Sequence, residues 1–430
     1  MVKTIKSIIF LVENKTRDLD SILFFSEIIL KKNSTLKIHI LPISKLNFKN
    51  LCKKEKSIIV WPHPRHFLIN WSYFLGHINV IHESEGIPYK KEQLFHSSRY
   101  IHNFTINQVW CWGISQQKIL QKRFKNSFLS NKIINTGSIR YEYAKNKLKK
   151  YPPILNKPKA LITTNYNILN PKYQTLYKEM MDHKHNYKLE SSDPNKFLNW
   201  MISEAERRLS FLYKIKNERE TISKFNVELR PHPYENKGYY TEKIIAPIDF
   251  KLQNFDEDIS EAISNSHIII ATGCQTVLDS IINGKPVFGD STANYNLWDK
   301  YIIPIENLSN YDLDNITFKK LANKQLKNAI SNGLNKWLSN IEYQFDYSYL
   351  MHLLNYKYKN RFIQNKIIFI IFYFIKSTKL IIFLKNKISY KSSSKEKNKR
   401  FTLDDIVDSK NRLCPNIKYI KNNDHITLFT

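Results

Sequence analysis

Glycine is scarce, at nine residues in a chain of 430. Flexible glycine-rich stretches are thereby excluded. Gly86, Gly113, Gly137, Gly273, Gly284 and Gly289 all fall at the ends of expected strands or helices, where a residue without Cβ permits turns or close backbone approach. The four cysteines, Cys52, Cys111, Cys274 and Cys414, are widely separated and form no CxxC pair. That spacing excludes a structural zinc site and a disulfide framework, and it points to a reducing, cytoplasmic compartment. Neither a Walker lysine motif nor GxGxxG occurs, which removes the usual ATPase and NAD fingerprints. Long apolar runs are missing too. The longest has nine residues, against about 20 for a membrane-spanning helix. The N-terminal run Ile8–Val12 meets Glu13, Asn14 and Lys15 at once, which predicts a first β-strand rather than a signal peptide.

Basic charge is in excess: 67 Lys and Arg against 38 Asp and Glu give a net charge of +29. Lysine is spread along the whole chain, and no RNA-binding signature, zinc-finger spacing or basic zipper accompanies it. A nucleic-acid partner is therefore not expected. An anionic membrane surface or an acidic glycan suits the charge. Residues 366–387 alternate short apolar runs with Lys366, Lys376, Lys379, Lys385 and Lys387. Two readings stand open for them: a segment lying in the membrane interface at the cytoplasmic face, or a helix buried on the protein body. Residues 391–400 lack apolar pattern and form an expected disordered link; 391–430 is the tail, and for its last 30 residues folding back or not stays open.

Short apolar runs alternate with amphipathic stretches over roughly the first 300 residues, the pattern of parallel sheets with crossover helices. Expected strands are Ser7–Val12, Leu36–Leu41, Ser57–Trp61, Ile78–His82, Gln108–Trp112 and Ile133–Asn135, with helices such as Ser21–Lys31 and Ser115–Phe124 between them. Tyr151-Pro-Pro153 and Pro158 mark an expected linker. A second α/β series then begins at Ala160 and includes a long helix from Pro194 to Phe225. The fold class is α/β with two Rossmann-like domains, 1–155 and 156–310, followed by closing helices over 311–360.

Two strand ends carry the chemistry. The run Ile268–Ala271 stops at Thr272-Gly273 and a helical pattern starts at once. Such a turn presents free N–H groups and a positive dipole end, which suits a phosphate. Thr272, Gly273, Gln275 and Thr276 are the candidate donors, although the same residues would serve a plain helix cap. Cys274 has no base near it in sequence and reads as a small packing residue. The strand Asn226–Leu229 ends in Arg230-Pro-His-Pro233. The prolines fix the backbone on either side of His232, which suits Arg230 to a phosphate or carboxylate and His232 to a nucleotide or its leaving phosphate. Glu235 is placed to hydrogen-bond a ribose. Together these imply a nucleotide-sugar site.

Three further groups lie at strand ends. His82-Glu-Ser-Glu-Gly86 offers Glu83 and Glu85 as base or nucleophile, a pattern shared by solvated turn residues. Arg140, in Asn135-Thr-Gly-Ser-Ile-Arg140, and Asn165, in Leu161-Ile-Thr-Thr-Asn165, are candidates to face an interdomain cleft, with caps and architecture as the plainer alternatives.

These segments resemble the surface carbohydrate biosynthesis proteins of lipopolysaccharide and capsule loci, which are similar in turn to retaining Kdo transferases of GT-B architecture. The likeness runs in order through Phe10-Leu-Val-Glu13, Glu83–Gly86, Cys111-Trp-Gly113, Thr136–Arg140, Thr163-Thr-Asn165, Arg230–Pro233, Ala271–Asp279 and Gly284-Lys-Pro286. Bacterial sialyltransferases share an acidic-acidic-Gly motif, a His-Pro motif and a hydroxyl-rich helix start. Here Ser84-Glu85-Gly86 departs from the first, leaving the acid open between Glu83 and Glu85, and Thr272 and Thr276 match the last loosely. The resemblance implies a glycosyltransferase with a cleft between its domains, a CMP-activated acidic sugar such as CMP-Kdo as donor, and a glycan or glycolipid acceptor. It implies neither a metal nor a cofactor. A UDP-sugar or CDP-glycerol type transferase, and a non-catalytic glycan- or membrane-binding scaffold, are the alternatives.

Overall fold

The computed structural model describes residues 5–53, 55–64, 66, 68–83, 103–147, 151–166, 169–170, 172, 175, 178, 194–233, 235–236, 238, 240, 249–253, 258–271, 274–290, 299–341, 344–354, 402–422 and 425–430. The chain divides into two compact units. The first comprises Met1–Tyr143 and Asn335–Thr430, and the second Ala144–Leu334.

In unit 1 the strands are β1 (Ser7–Val12), β2 (Lys37–Pro42), β3 (Ile58–Trp61), β4 (Ile78–His82), β5 (Gln108–Cys111) and β6 (Ile133–Asn135). They pair in parallel in the order β2-β1-β3-β4-β5-β6. Parallel pairing needs crossovers, and these include α1 (Asp20–Lys32), α2 (Phe48–Lys53), α3 (Leu68–Phe74) and α4 (Ile114–Arg123), with α5 (Ile139–Lys147) following β6. A sheet covered on both faces demands unbroken apolar strands. β1 meets this demand, with every position buried. Ile8, Phe10 and Val12 face one core with Phe25 and Val80, while Ile9 and Leu11 face the other with Trp61 and Ile81.

Unit 2 contains β7 (Lys159–Thr163), β8 (Asn226–Arg230), β9 (Phe250–Leu252), β10 (Ile268–Ile270), β11 (Val287–Gly289) and β12 (Ile303–Pro304). These are all parallel, in the order β12-β11-β10-β7-β8-β9. Its main helices are α6 (Pro194–Asn217), α7 (Ile259–Ser264), α8 (Gln275–Ile282) and α9 (Asn315–Ser331). From β7 the chain builds outward through β8 and β9, then returns to the other side of β7 with β10. That reversal lies between β7 and β10, and open α/β sheets bind ligands at the carboxyl ends of such strands. In unit 1 the corresponding reversal lies between β1 and β3. Both units are Rossmann-like, as the alternating pattern predicts.

The expected break at 155/156 differs from the division after Tyr143. The proline-rich stretch is held against unit 2: the Tyr151 hydroxyl donates to the Gly284 carbonyl at 2.7 Å, and Asn315 Nδ2 to the Pro152 carbonyl at 3.3 Å. After Leu334 the chain returns to unit 1, where it forms α10 (Ser348–Leu354), α11 (Leu403–Leu413), β13 (Lys418–Lys421) and β14 (Ile426–Phe429).

Over 402–430, where the sequence leaves folding back open, the tail folds back into unit 1. β14 pairs antiparallel with β2 and buries Ile426 and Leu428, and α11 is tied to the N-terminal region by Lys15–Asp405 at 2.6 Å and Arg412–Asp20 at 2.5 Å. Asp404 and Asp405, in the first turn of α11, therefore belong to unit 1. The apolar and basic stretch 366–387 lies outside the described residues, among which no helix is long and apolar enough to cross a membrane.

Candidate functional site

In unit 2 the expected site residues gather at strand carboxyl ends. Arg230 closes β8 and is buried, with Nη1 donating to Gln253 Oε1 at 3.1 Å just past β9. His232 follows, half-buried. Its backbone N–H donates to Glu235 Oε1 at 3.2 Å, and its carbonyl accepts from the Glu235 N–H at 2.8 Å.

Glu235 was expected to reach a ribose, and the structure overturns this. The carboxylate is buried, and both oxygens are occupied by protein donors. Oε1 also accepts from the Tyr166 N–H at 2.7 Å, while Oε2 accepts from the Thr164 hydroxyl at 3.0 Å and from the Tyr240 hydroxyl. Burial pushes this carboxyl above its usual range, and the donors counteract it in part. Glu235 therefore fastens the ends of β7 and β8 to one another and fixes the His232 backbone.

Gln275 and Thr276 begin α8, with extended Cys274 as the N-cap. All three are half-buried. Thr272 and Gly273 lie outside the described residues. Burial raises the Cys274 thiol above its ordinary value, which agrees with packing rather than nucleophilic duty. β8 and β10 flank β7 on opposite sides, so His232 and Thr276 follow strand ends roughly 10 Å apart, two interstrand spacings. The backbone at this edge is tight. A Cβ on Gly289 would stand 2.0 Å from the Ala271 carbonyl oxygen.

Asn165 lies past β7, where its carbonyl accepts from Arg207 Nη2 at 3.2 Å. Arg207 and Arg208 of α6 are both buried and were missed in the sequence. Glu206-Arg-Arg-Leu209 has the look of a solvated helical face, and only the packing of α6 against the strand ends reveals otherwise.

Unit 1 holds a second group of polar side chains. A small cavity of about 30 Å³ opens among Leu11, Val60, Pro62, Glu83, Trp112 and Arg140, beside the reversal between β1 and β3. Glu83 is half-buried, and its carbonyl accepts from Trp112 Nε1 at 2.9 Å. Arg140, in the first turn of α5, is buried. It and Asn165, grouped as cleft residues, fall on different units. Glu85 lies outside the described residues.

Beside the cavity, Glu13 after β1 meets His63 after β3, with Oε2 and Nε2 3.3 Å apart. Arg17 forks onto Asp18 at 2.9 and 3.2 Å. Sequence reasoning gave His63, Arg17 and Asp18 no role; the β1–β3 pairing is what brings His63 to Glu13. His82, also buried, holds the frame. Nε2 accepts from the Ile139 N–H at 3.2 Å, which leaves Nδ1–H to donate to the Trp110 carbonyl at 3.4 Å. Burial pushes its imidazole down to about 4, so it is neutral near pH 7 and ties the end of β4 to the start of α5.

No protein-family model matches the sequence, and no curated protein matches it. Solved structures do show likeness in fold. A crystal structure of the GtfA/B complex is 10% identical over 73% of this chain, at a TM-score of 0.36. This chain covers 59% of that protein's length. UDP-GlcNAc 2-epimerase from Neisseria meningitidis bound to UDP-GlcNAc is 11% identical over 76% of this chain and 100% of its own, at a TM-score of 0.43. The wall teichoic acid polymerase TagF is 11% identical over 81% of this chain and 88% of its own, at a TM-score of 0.42.

Proposed function

We propose that the chain is a glycosyltransferase of bacterial surface polysaccharide synthesis, of lipopolysaccharide or capsule. It takes a CMP-activated acidic sugar such as CMP-Kdo and passes it to a glycan or glycolipid acceptor. The observation that carries this reading is the gathering of Asn165, Arg230, His232 and the start of α8 at the carboxyl ends of β7, β8 and β10, around the reversal of strand order. In this reading the nucleotide lies on unit 2. The start of α8, from Cys274 to Thr276, offers N–H groups, a hydroxyl and a dipole end to the phosphate, and His232 stabilises the negative charge on departing CMP.

Glu83 or Glu85 is the candidate carboxylate, as base or as nucleophile. The bond from the anomeric carbon to the phosphate oxygen breaks, CMP leaves with the electron pair, and the acceptor hydroxyl ends bonded to the sugar after losing its proton. The net charge of +29 suits work at the cytoplasmic face of an anionic membrane.

Thermal unfolding with CMP, UDP and CDP tests the reading, since a ligand that binds only the folded state raises the melting temperature. CMP is expected to stabilise the wild type, and His232→Ala to remove that effect. Stabilisation by UDP or CDP alone would replace the donor with a UDP-sugar or a CDP-glycerol type compound. No stabilisation by any nucleotide would favour a glycan- or membrane-binding scaffold.

A further inference from the structure

Two adjacent arginines are buried at the ligand edge of unit 2. Arg207 and Arg208 are 5% and 8% exposed. Both guanidinium carbons lie over the Tyr166 ring, at 5.0 and 5.8 Å from its centroid. Arg207 also donates to the Asn165 carbonyl and meets Glu204 at 2.6 Å. Asn165 and Tyr166 stand just beyond β7, one of the two strands at the reversal. The pair thus stands beyond the carboxyl end of β7, which neighbours β10 in the sheet.

The mounting is rigid. Ser210 donates to Asp290 Oδ2 at 2.6 Å and Lys214 meets Asp290 at 3.0 Å, pinning α6 to the residue after β11. Phe211 and Ile215 bury the same helix in the core. Tyr166, beneath the guanidinium groups, is held through its N–H by Glu235, which also holds the His232 backbone. Burying two like charges on one aromatic ring is costly, and a leucine pair would fill the space without that cost. Planar, permanently charged forks are the groups best matched to an oxyanion, and the end of β7 is where such an anion is expected.

We infer that Arg207 and Arg208 form an oxyanion clamp at the junction of β7 and β10, gripping the phosphate or the carboxylate of the donor. The inference rests on the nucleotide-sugar reading and adds to it the residues that hold the donor's negative charge. It also gives Glu235 a positioning role, since that carboxylate fixes the backbone of the tyrosine on which the clamp rests.

The test uses the full chain in calorimetric titrations with CMP and UMP, with cytidine and uridine, with free N-acetylneuraminate, and with inorganic phosphate. For a clamp on phosphate, Arg208→Gln loses about ten- to a hundredfold in affinity for the nucleotide that binds the wild type. Its affinity for the matching nucleoside stays unchanged. For a clamp on carboxylate, the loss appears with N-acetylneuraminate instead. Arg207→Lys and Arg208→Lys restore only part of the affinity, because an ammonium lacks the fork, and they serve in place of the glutamine variant should it fail to fold. Folded variants that bind nucleotide, sugar acid and phosphate like the wild type overturn the clamp while leaving the donor reading intact. A wild type that binds no nucleotide overturns the donor reading. Inorganic phosphate then decides the clamp alone: weaker binding by the variants sustains it, and equal binding or none overturns it.

Discussion

Lys285 sits in the Asn283-Gly-Lys turn between α8 and β11 with its side chain fully buried. Nζ donates to the Ser264 carbonyl at 2.7 Å and lies 4.0 Å from the Tyr151 ring centroid. Burial, aided by the nearby charge of Lys319, lowers its pKa from 10.5 to about 7. Below about pH 7 both the folded and the unfolded chain hold this proton. Between about 7 and 10.5 the unfolded chain holds more of it, so stability rises with pH across that window. Lys285→Met should flatten the rise. Urea midpoints at several pH values in that window, for wild type and variant, provide the check, and equal slopes would show that Lys285 does not titrate there.

At the scale of elements, the return of the chain after Leu334 depends on a glycine. A Cβ on Gly113 would stand 2.3 Å from the Trp337 carbonyl carbon. Next to it the Ser339 N–H donates to the Trp112 carbonyl at 2.9 Å, the Phe345 N–H to Glu142 Oε2 at 3.0 Å, and the Asp346 N–H to the Thr136 carbonyl at 2.9 Å. Gly113→Ala should push this segment off the ends of β5 and β6, with a loss of about 1–3 kcal/mol as for other overpacked sites. Chemical denaturation measures the loss, and limited proteolysis should show faster cleavage between Trp337 and Asp346. Unchanged stability and cleavage would mean that the segment adjusts freely.

Elements that bury both faces were legible in the sequence. β1 and β4 have the expected bounds, and every position in them is buried. β9 and β12, three and two residues long at the sheet edges, leave no periodic trace. β14 pairs with a strand almost 400 residues earlier, and local pattern carries no such partner. The candidate site divides in the same way. Arg230 and His232 stood out because prolines and a strand end mark them. The inward carboxylate of Glu235 and the burial of Arg207 and Arg208 depend on contacts between distant segments, which composition and spacing do not record.

At the scale of the whole molecule, unit 2 is continuous in sequence and owns a core running from Ala160 to Leu321. Residues 144–334 made alone should therefore unfold in a single cooperative transition. Circular dichroism against urea tests this, and a broad or absent transition would show that unit 2 needs the rest of the chain. Unit 1 admits no such excision, since its two stretches are separated by all of unit 2.

That separation orders events on the ribosome. Domains tend to fold as they emerge, yet among the described residues the neighbour on the outer side of β2 is residues 426–428, synthesised last. Unit 2 can be finished while the earlier sheet still presents a bare backbone edge, the kind of edge that invites pairing with other chains. The nascent protein is thus most vulnerable to aggregation through its first-made half, and slow translation over the second half prolongs that exposure.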